Sequence, residues 1–163
     1  MLLRNKKASD PNEGKWIGIG GKFEEGETPD ECMLREVREE TGIALSDYHF
    51  HGVVEFRSDE WEDEDMYLYT AHFPVNSGPI KENAAEGKDA SAAGSTAGQG
   101  SDDVPPLPEC REGTLKWIPK AQIMSLKLWE GDRIFLKELL DGKQTVNMRL
   151  SYCGERLEKV QML

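Results

Sequence analysis

The sequence has few basic residues for its number of acidic ones. It carries 20 lysines and arginines against 31 aspartates and glutamates, which gives a net charge of −11. An acidic surface of this kind argues against binding a nucleic-acid polymer or an anionic membrane, because both need a basic protein face. Clustered acidic groups can still recruit a divalent cation and in that way bind a small anion.

Cysteines are scarce, and long apolar runs are absent. Cys32, Cys110 and Cys153 fit neither a disulfide framework nor a zinc-binding CxxC pair, which indicates a reducing compartment such as the cytoplasm. No apolar run approaches the ~18 residues of a membrane-spanning helix, and no signal peptide is recognisable. The length of 163 residues predicts one domain over residues 1–163.

Two parts of the chain depart from an ordinary domain. Residues 1–3 resemble the end of a strand, so we expect that a preceding first strand is missing. In residues 81–104, 13 of 24 residues are Ala, Gly or Ser, and none is aromatic. Such a segment cannot bury enough apolar surface to offset its ordering entropy, so we predict a disordered insertion there.

The rest of the chain contains strand and helix patterns. The pattern predicts strands at residues 15–19, 48–56, 66–75 and 114–118. It also predicts an amphipathic helix at residues 134–140 and a C-terminal hairpin at residues 146–162. The clearest helix signal is Thr28 followed by Pro29 and Glu31, which is a capping box with proline at the first helical position. It predicts a helix over residues 29–41, with Gly42 as its C-terminal stop.

Glu36, Glu39 and Glu40 are spaced i, i+3 and i+4 on this helix, so their carboxylates project from one face. Taken alone, such a cluster is usually a solvated acidic face. Three carboxylates on a rigid helix beside a glycine turn can also hold a hard cation. Oxygen ligands favour Mg²⁺ or Mn²⁺ over zinc.

The wider pattern favours the cation site. Gly21, Glu27 and residues 35–43 match every fixed position of the Nudix box, a motif of 23 residues. Nine constrained positions would match by chance in roughly one chain in ten million. The chain therefore resembles Nudix hydrolases. This resemblance implies an α/β (α+β) Nudix fold, with a mixed sheet between helices and the box as a loop–helix–loop.

The resemblance also implies roles for individual residues. Family members use Mg²⁺ or Mn²⁺ to hydrolyse a nucleoside diphosphate linked to another group. The implied ligands are Glu36, Glu39, Glu40 and the carbonyl of Gly20, and one glutamate is the implied base. Arg35 is expected to orient the glutamates by charge-assisted hydrogen bonds.

A further acid from outside the box often completes the metal set in this family. Glu112 is the candidate, because it lies five residues before Trp117, as in the family's oxidised-purine triphosphatases. The alternative is that Glu112 is an ordinary loop acid, in which case Glu55 and Glu109 are the next candidates.

The entry to the box resembles that of MutT-like enzymes, which hydrolyse oxidised purine triphosphates such as 8-oxo-dGTP. Gly21 and Lys22 are the candidate phosphate contacts there, and a solvated lysine is the alternative for Lys22. Ile17 stands where those enzymes often carry an asparagine that contacts the base. Lys6 corresponds to a nucleotide-contacting lysine before the box.

A second resemblance concerns the base. Trp129 and Asp132 match a tryptophan and an acid that line the base pocket in mammalian-type enzymes. The ring can stack on a purine, and the carboxyl can bind the purine edge. There are two structural alternatives to a base-binding role: Trp129 is simply part of the core, and Asp132 is the N-cap of the following helix.

Together these features predict a Mg²⁺-dependent pyrophosphohydrolase of nucleoside triphosphates, with a small nucleotide as its partner. The first alternative keeps the chemistry and changes the substrate to a nucleotide sugar or a dinucleoside polyphosphate. The second alternative is a Nudix domain that only senses a ligand. The intact box counts against this alternative. An isopentenyl diphosphate isomerase is disfavoured, because its cysteine and glutamate signature is lacking.

Overall fold

The structure, a computed structural model, describes residues 1–8, 10–72 and 104–163. In chain order the elements are β1 (Leu2–Leu3), β2 (Trp16–Ile17), α1 (Pro29–Thr41), β3 (Tyr48–Ser58), β4 (Glu64–Ala71), β5 (Thr114–Leu115), a 3-10 helix (Lys120–Ser125), α2 (Glu130–Leu140), β6 (Met148–Cys153) and β7 (Arg156–Met162). None of the helices in these ranges is long and apolar enough to cross a membrane. The predicted insertion over residues 81–104 lies outside the described residues, except for Val104 at its edge.

Helix α1 begins and ends where the sequence predicts. The Thr28 hydroxyl accepts a hydrogen bond from the Glu31 N–H, and the Glu31 carboxylate accepts one from the Thr28 N–H at 2.9 Å. Gly42 follows the helix with φ at 72°, a left-handed conformation that favours glycine, and its N–H donates to the Arg38 carbonyl at 2.8 Å. Local sequence therefore defines both ends of this helix.

The aromatic side chains of the neighbouring sheet hold the start of α1. The hydroxyl of Tyr69 donates to Asp30 at 2.5 Å, and that of Tyr48 donates to the same carboxylate at 3.4 Å. The two tyrosine rings lie 6.1 Å apart. Because Asp30 is in the first turn of α1, these bonds fix the helix relative to strands β3 and β4.

Two sheets make up the rest of the domain. The larger has the strand order β4-β3-β6-β7, and the smaller has the order β2-β1-β5. Strand β3 pairs antiparallel with β4 and parallel with β6, which itself pairs antiparallel with β7. The larger sheet is therefore mixed, as the resemblance implies, and the α+β Nudix fold is confirmed.

The main core lies between this sheet and α2. Strand β6 is interior to the sheet, and its alternate residues Met148, Leu150 and Tyr152 are all buried. They pack with Val54 of β3 and Phe135 of α2. The predicted C-terminal hairpin thus supplies much of the core, because burying one face of a central strand removes three large side chains from water.

Several predicted strands differ from the observed ones in length. The predicted strands at 15–19 and 114–118 are each reduced to two residues, since both pair only with the two residues of β1. Strand β3 continues two residues past its predicted end, and β4 begins two residues before its predicted start. Leu2 and Leu3 form β1 themselves, and a missing strand before them stays a prediction.

Met148→Ala should destabilise the fold by about 2–5 kcal/mol, because the side chain is fully buried and its loss leaves a cavity. Met162→Ala is the matched control, since Met162 is the cross-strand partner of Met148 but is 58% exposed. We expect the control to change the free energy of unfolding by under ~1 kcal/mol. Chemical denaturation of the three proteins measures both values, and equal losses would contradict this description of the core.

Candidate active site

Arg35 binds three glutamates of the box at once. Its Nε and Nη2 donate to the two carboxylate oxygens of Glu27 at 2.8 and 2.9 Å. Its Nη1 donates to Glu36 at 2.7 Å and more weakly to Glu39 at 3.5 Å, and Nη2 also reaches the carbonyl of Lys22 at 3.2 Å. The bonds from Arg35 lower the pKa of Glu27 to about 2. One guanidinium therefore fastens the loop before α1 to the helix and offsets repulsion among the carboxylates.

Gly21 lies directly against the carboxylate of Glu36. A Cβ added at Gly21 would lie 2.2 Å from the nearest oxygen of Glu36, much closer than atoms that are not bonded can approach. The Cys32 thiol approaches the carbonyl of the same glycine at 3.7 Å. A side chain at position 21 would displace the carboxylate of Glu36 from the position in which Arg35 binds it.

Glu40 is partly buried beside Glu36 and Arg4. It accepts a hydrogen bond from the backbone N–H of Gly20, but its Oε2 is buried and has no partner among the residues described. Burial, and then the negative charge of Glu36, raise the pKa of Glu40 to about 7. A buried carboxylate oxygen without a donor is costly, so this position favours either a proton or a cation.

The box offers a donor set that suits a hard divalent cation. Glu36, Glu39 and Glu40 supply carboxylate oxygens from one helix, and Gly20 lies beside Glu40. In the part of the chain that the structure describes, no three acidic, histidine or cysteine side chains already form a metal cage. Arg35 holds Glu36 and Glu39 instead, so these carboxylates must turn to share a cation with Glu40. The unpartnered Oε2 of Glu40 is the atom that such a cation would satisfy.

Glu112, the candidate acid from outside the box, is bound to Arg4. Arg4 also pairs with Asp10 at 2.5 Å, and its charge partly opposes the rise in the pKa of Glu40 that burial causes, so Arg4 lies near the box. Glu112 is therefore close to the candidate metal site through Arg4, but its carboxylate is already engaged. Glu55, the next candidate, is bound by two arginines of the larger sheet.

The two candidate lysines differ in their surroundings. Lys6 is exposed and donates to the backbone carbonyl of Cys110 at 3.0 Å. Lys22 is largely exposed and pairs with Glu62 at 3.3 Å and with Glu64 at 3.6 Å. Both pairs are at the surface, where ion pairs contribute little, so an anionic ligand could readily exchange for these acids.

Trp129 is buried, with 9% of its surface exposed, and belongs to the main core. Its indole N–H donates to the side-chain oxygen of Asn12 at 2.7 Å. The ammonium of Lys15 lies 3.9 Å from the centre of its ring, and the rings of Trp61 and Tyr152 contact it edge-on, both at 5.6 Å. In this structure Trp129 is therefore a core residue, as the structural alternative expected.

Asp132 is not the N-cap of α2, so that alternative was wrong. The helix begins after Trp129, which makes no side-chain cap, and Asp132 lies inside the first turn. Strand β6 supplies a hydrogen-bond partner for this end of the helix instead, because the Gly131 N–H donates to the hydroxyl of Tyr152 at 2.7 Å. Burial raises the pKa of Asp132 to about 7, and its carboxylate has no hydrogen bond or ion pair within the described residues.

Sequence reasoning missed the residues that surround Trp129 and one residue near the box. Lys15, Trp61 and Tyr152 surround the ring of Trp129, and Arg4 links Glu112 to the box. Only Trp61 gave a signal in the sequence, because a tryptophan is unusual within an otherwise acidic hairpin loop. The other contacts depend on how distant strands pair, which no local pattern encodes.

Comparison with known proteins identifies the family. A family model described as the NUDIX domain matches residues 1–139. The chain therefore belongs to the Nudix family and is a Nudix hydrolase acting on pyrophosphate bonds. Enzymes of this family typically use a divalent metal and bind small nucleotide substrates.

Individual relatives are more distant. A Bacillus subtilis protein described as an uncharacterized Nudix hydrolase is 26% identical over 147 residues, which covers 89% of this chain and 77% of that protein. A zebrafish (Danio rerio) oxidized purine nucleoside triphosphate hydrolase is 37% identical over 72 residues, 44% of this chain and 46% of that enzyme. Among solved structures, the MutT protein of Bacillus halodurans matches with a TM-score of 0.68 at 22% identity. It covers 99% of this chain and 87% of that one, which shows a shared fold.

The pKa of Asp132 predicts a pH dependence of stability. Burial raises this pKa from its ordinary value of 3.8 to about 7 in the folded protein. Between these two values the folded state holds a proton that the unfolded state has lost, so stability falls as pH rises from about 4 to about 7. In Asp132→Asn the part of this loss that is due to Asp132 should be absent, whereas the part due to Glu40, whose pKa is also raised to about 7, should remain. The variant should therefore gain stability relative to the wild type across that window.

Thermal melts from pH 4 to 8 measure the difference between the two proteins. Glu130→Gln, an exposed acid in the same helical turn, controls for removing a negative charge from this end of α2. A difference between Asp132→Asn and the wild type that stayed constant over this range would contradict the raised pKa.

Proposed function

We propose that this Nudix hydrolase is Mg²⁺-dependent and hydrolyses nucleoside triphosphates, with oxidised purines such as 8-oxo-dGTP as the preferred substrates. The products would be a nucleoside monophosphate and pyrophosphate. The observation that carries the catalytic part is the buried Oε2 of Glu40, which lacks a partner within the described residues and lies beside Glu36. A divalent cation would satisfy this oxygen and lower the repulsion between the two carboxylates.

The metal would be held by Glu36, Glu39, Glu40 and the carbonyl of Gly20. Mg²⁺, when bound, polarises the phosphorus and makes a bound water more acidic. Hydrolysis adds one water across the phosphoanhydride bond: its oxygen ends on phosphorus, and pyrophosphate leaves. One box glutamate takes the proton of this water, and Arg35 keeps the glutamates oriented. Glu112 is the further candidate ligand. It would first have to be released from Arg4.

The substrate side of the proposal rests on Asp132 and Trp129. A half-buried carboxyl with no partner in the described residues can bind the hydrogen-bonding edge of a base, and Trp129 lies three residues before it at the start of α2. With its pKa near 7, Asp132 can be protonated and donate a hydrogen bond to the base. The names of the zebrafish relative and of a mouse relative, 42% identical over 56 residues, favour an oxidised purine. Lys6, Gly21 and Lys22 are the proposed phosphate contacts.

Glu39→Gln and Glu40→Gln should each lower Mg²⁺-dependent turnover by at least ~100-fold, because a lost ligand weakens the stabilisation of transition-state charge. Neither change should reduce stability, since Gln at position 40 removes a buried charge. The control is Glu25→Gln, an exposed acid in the loop before α1, which should keep wild-type turnover. Steady-state kinetics with Mg²⁺ and thermal melts test this, and near-normal turnover in both box variants would contradict the assignment.

A screen over 8-oxo-dGTP, dGTP, a pyrimidine triphosphate, a nucleotide sugar and a dinucleoside polyphosphate tests the substrate. Asp132→Ala should lower kcat/KM for 8-oxo-dGTP by ~10- to 100-fold, because a base edge would lose its partner in a closed pocket. For the pyrimidine triphosphate the loss should stay within a few-fold. Glu130→Ala, at an exposed position of the same turn, is the control. Equal losses for all substrates, or faster hydrolysis of the nucleotide sugar or dinucleoside, would contradict the oxidised-purine proposal.

A further inference from the structure

The Trp129 side chain is buried, and four side chains of the protein contact it. The ammonium of Lys15 covers one face, Asn12 accepts the indole N–H, and Tyr152 and Trp61 contact the ring edge-on. A purine stacks on a tryptophan by lying parallel to it at about 3.5 Å, the contact distance of carbon atoms. A base can therefore reach Trp129 only if one of these neighbours moves.

Lys15 and Tyr152 are poorly placed to move. Lys15 is buried and is held by Glu155 at 3.0 Å and by the carbonyl of Pro11 at 3.1 Å. Tyr152 is buried within β6, and its hydroxyl accepts the N–H that α2 would otherwise leave unpaired. Moving either side chain would break hydrogen bonds inside the core, which costs more than separating two apolar surfaces.

Trp61 is held much less firmly. It belongs to the loop between β3 and β4, is only half-buried, and makes no side-chain hydrogen bond within the described ranges. Its backbone N–H and that of Glu60 donate to the hydroxyl of Ser58, at 3.2 and 3.1 Å. The loop backbone is thus anchored independently of the indole, which can change rotamer without unfolding the turn.

The base and Trp61 cannot occupy this place together. The two tryptophan rings are 5.6 Å apart and inclined at 71°. A base held between two aromatic rings needs them parallel and about 7 Å apart, which is twice the contact distance. The present arrangement leaves no such slot.

We infer that Trp61 covers the base-stacking surface of Trp129 and is displaced when a base binds there. This inference rests on the proposed function, because it assumes that the base stacks on Trp129. Displacement carries a cost for every nucleotide whose base enters the pocket. A purine recovers that cost better than a pyrimidine does, because its larger ring system stacks over more area.

Binding of nucleoside monophosphates tests the inference without requiring turnover. Titration calorimetry with dGMP and dCMP compares the wild type with Trp61→Ala and Trp61→Phe. Tyr67→Ala is the control, since Tyr67 is an exposed aromatic residue of β4 that makes its ring contacts with Phe23 and Phe50. Removing the indole should tighten dGMP binding by about 3- to 10-fold, the size of one aromatic contact. The Phe variant should lie between, and dCMP binding should tighten by a similar factor, because the displacement cost that is removed does not depend on the base.

Fluorescence gives a second readout in the wild type. On binding dGMP, the displaced indole should become more accessible to acrylamide, and this increase should be missing in Trp61→Phe. Weaker dGMP binding in Trp61→Ala would overturn the inference, because Trp61 would then contact the base. Unchanged binding of both nucleotides, or no purine binding by any variant, would overturn it too. Normal dGMP binding without Mg²⁺-dependent hydrolysis would count against the proposed function alone.

Discussion

The candidate site depends on one guanidinium group. Without Arg35, three glutamates of the box would lose the guanidinium that binds them all, and the loop before α1 would lose its bonds to the helix. The same group also holds Glu36 and Glu39 in a geometry that is not yet a metal cage. Arg35 is thus both a support for the folded loop and, in the proposed function, a competitor for the carboxylates: a bound cation would have to rearrange hydrogen bonds that are already formed.

Local features were predictable from the sequence, and long-range ones were not. The ends of α1 followed from Thr28, Glu31 and Gly42, because a capping box and a left-handed glycine act within a few residues. The pairing of β3 with β6 could not be predicted, since parallel partners far apart in the chain leave no local signature. For the same reason the hydroxyl of Tyr152 at the start of α2 was missed, and Asp132 was considered as its cap.

The candidate site shows the same division. The box glutamates and Arg35 were recognised because their spacing on one helix is a local property. Trp129 was recognised as a residue type, but its burial depends on Lys15, Asn12 and Trp61, which come from other parts of the chain. A motif therefore identifies candidate residues more readily than it identifies which other side chains pack against them.

The interior position of β6 has a consequence for synthesis on the ribosome. Val54 of β3 pairs with Met148, so 94 residues separate the two strands. At about 5–20 residues per second, β3 and β4 would emerge roughly 5 to 20 s before the strand that completes their sheet. During that time the hairpin presents an apolar face and an open edge to the cell. The nascent chain is therefore exposed to misassociation until β6 and β7 have been synthesised.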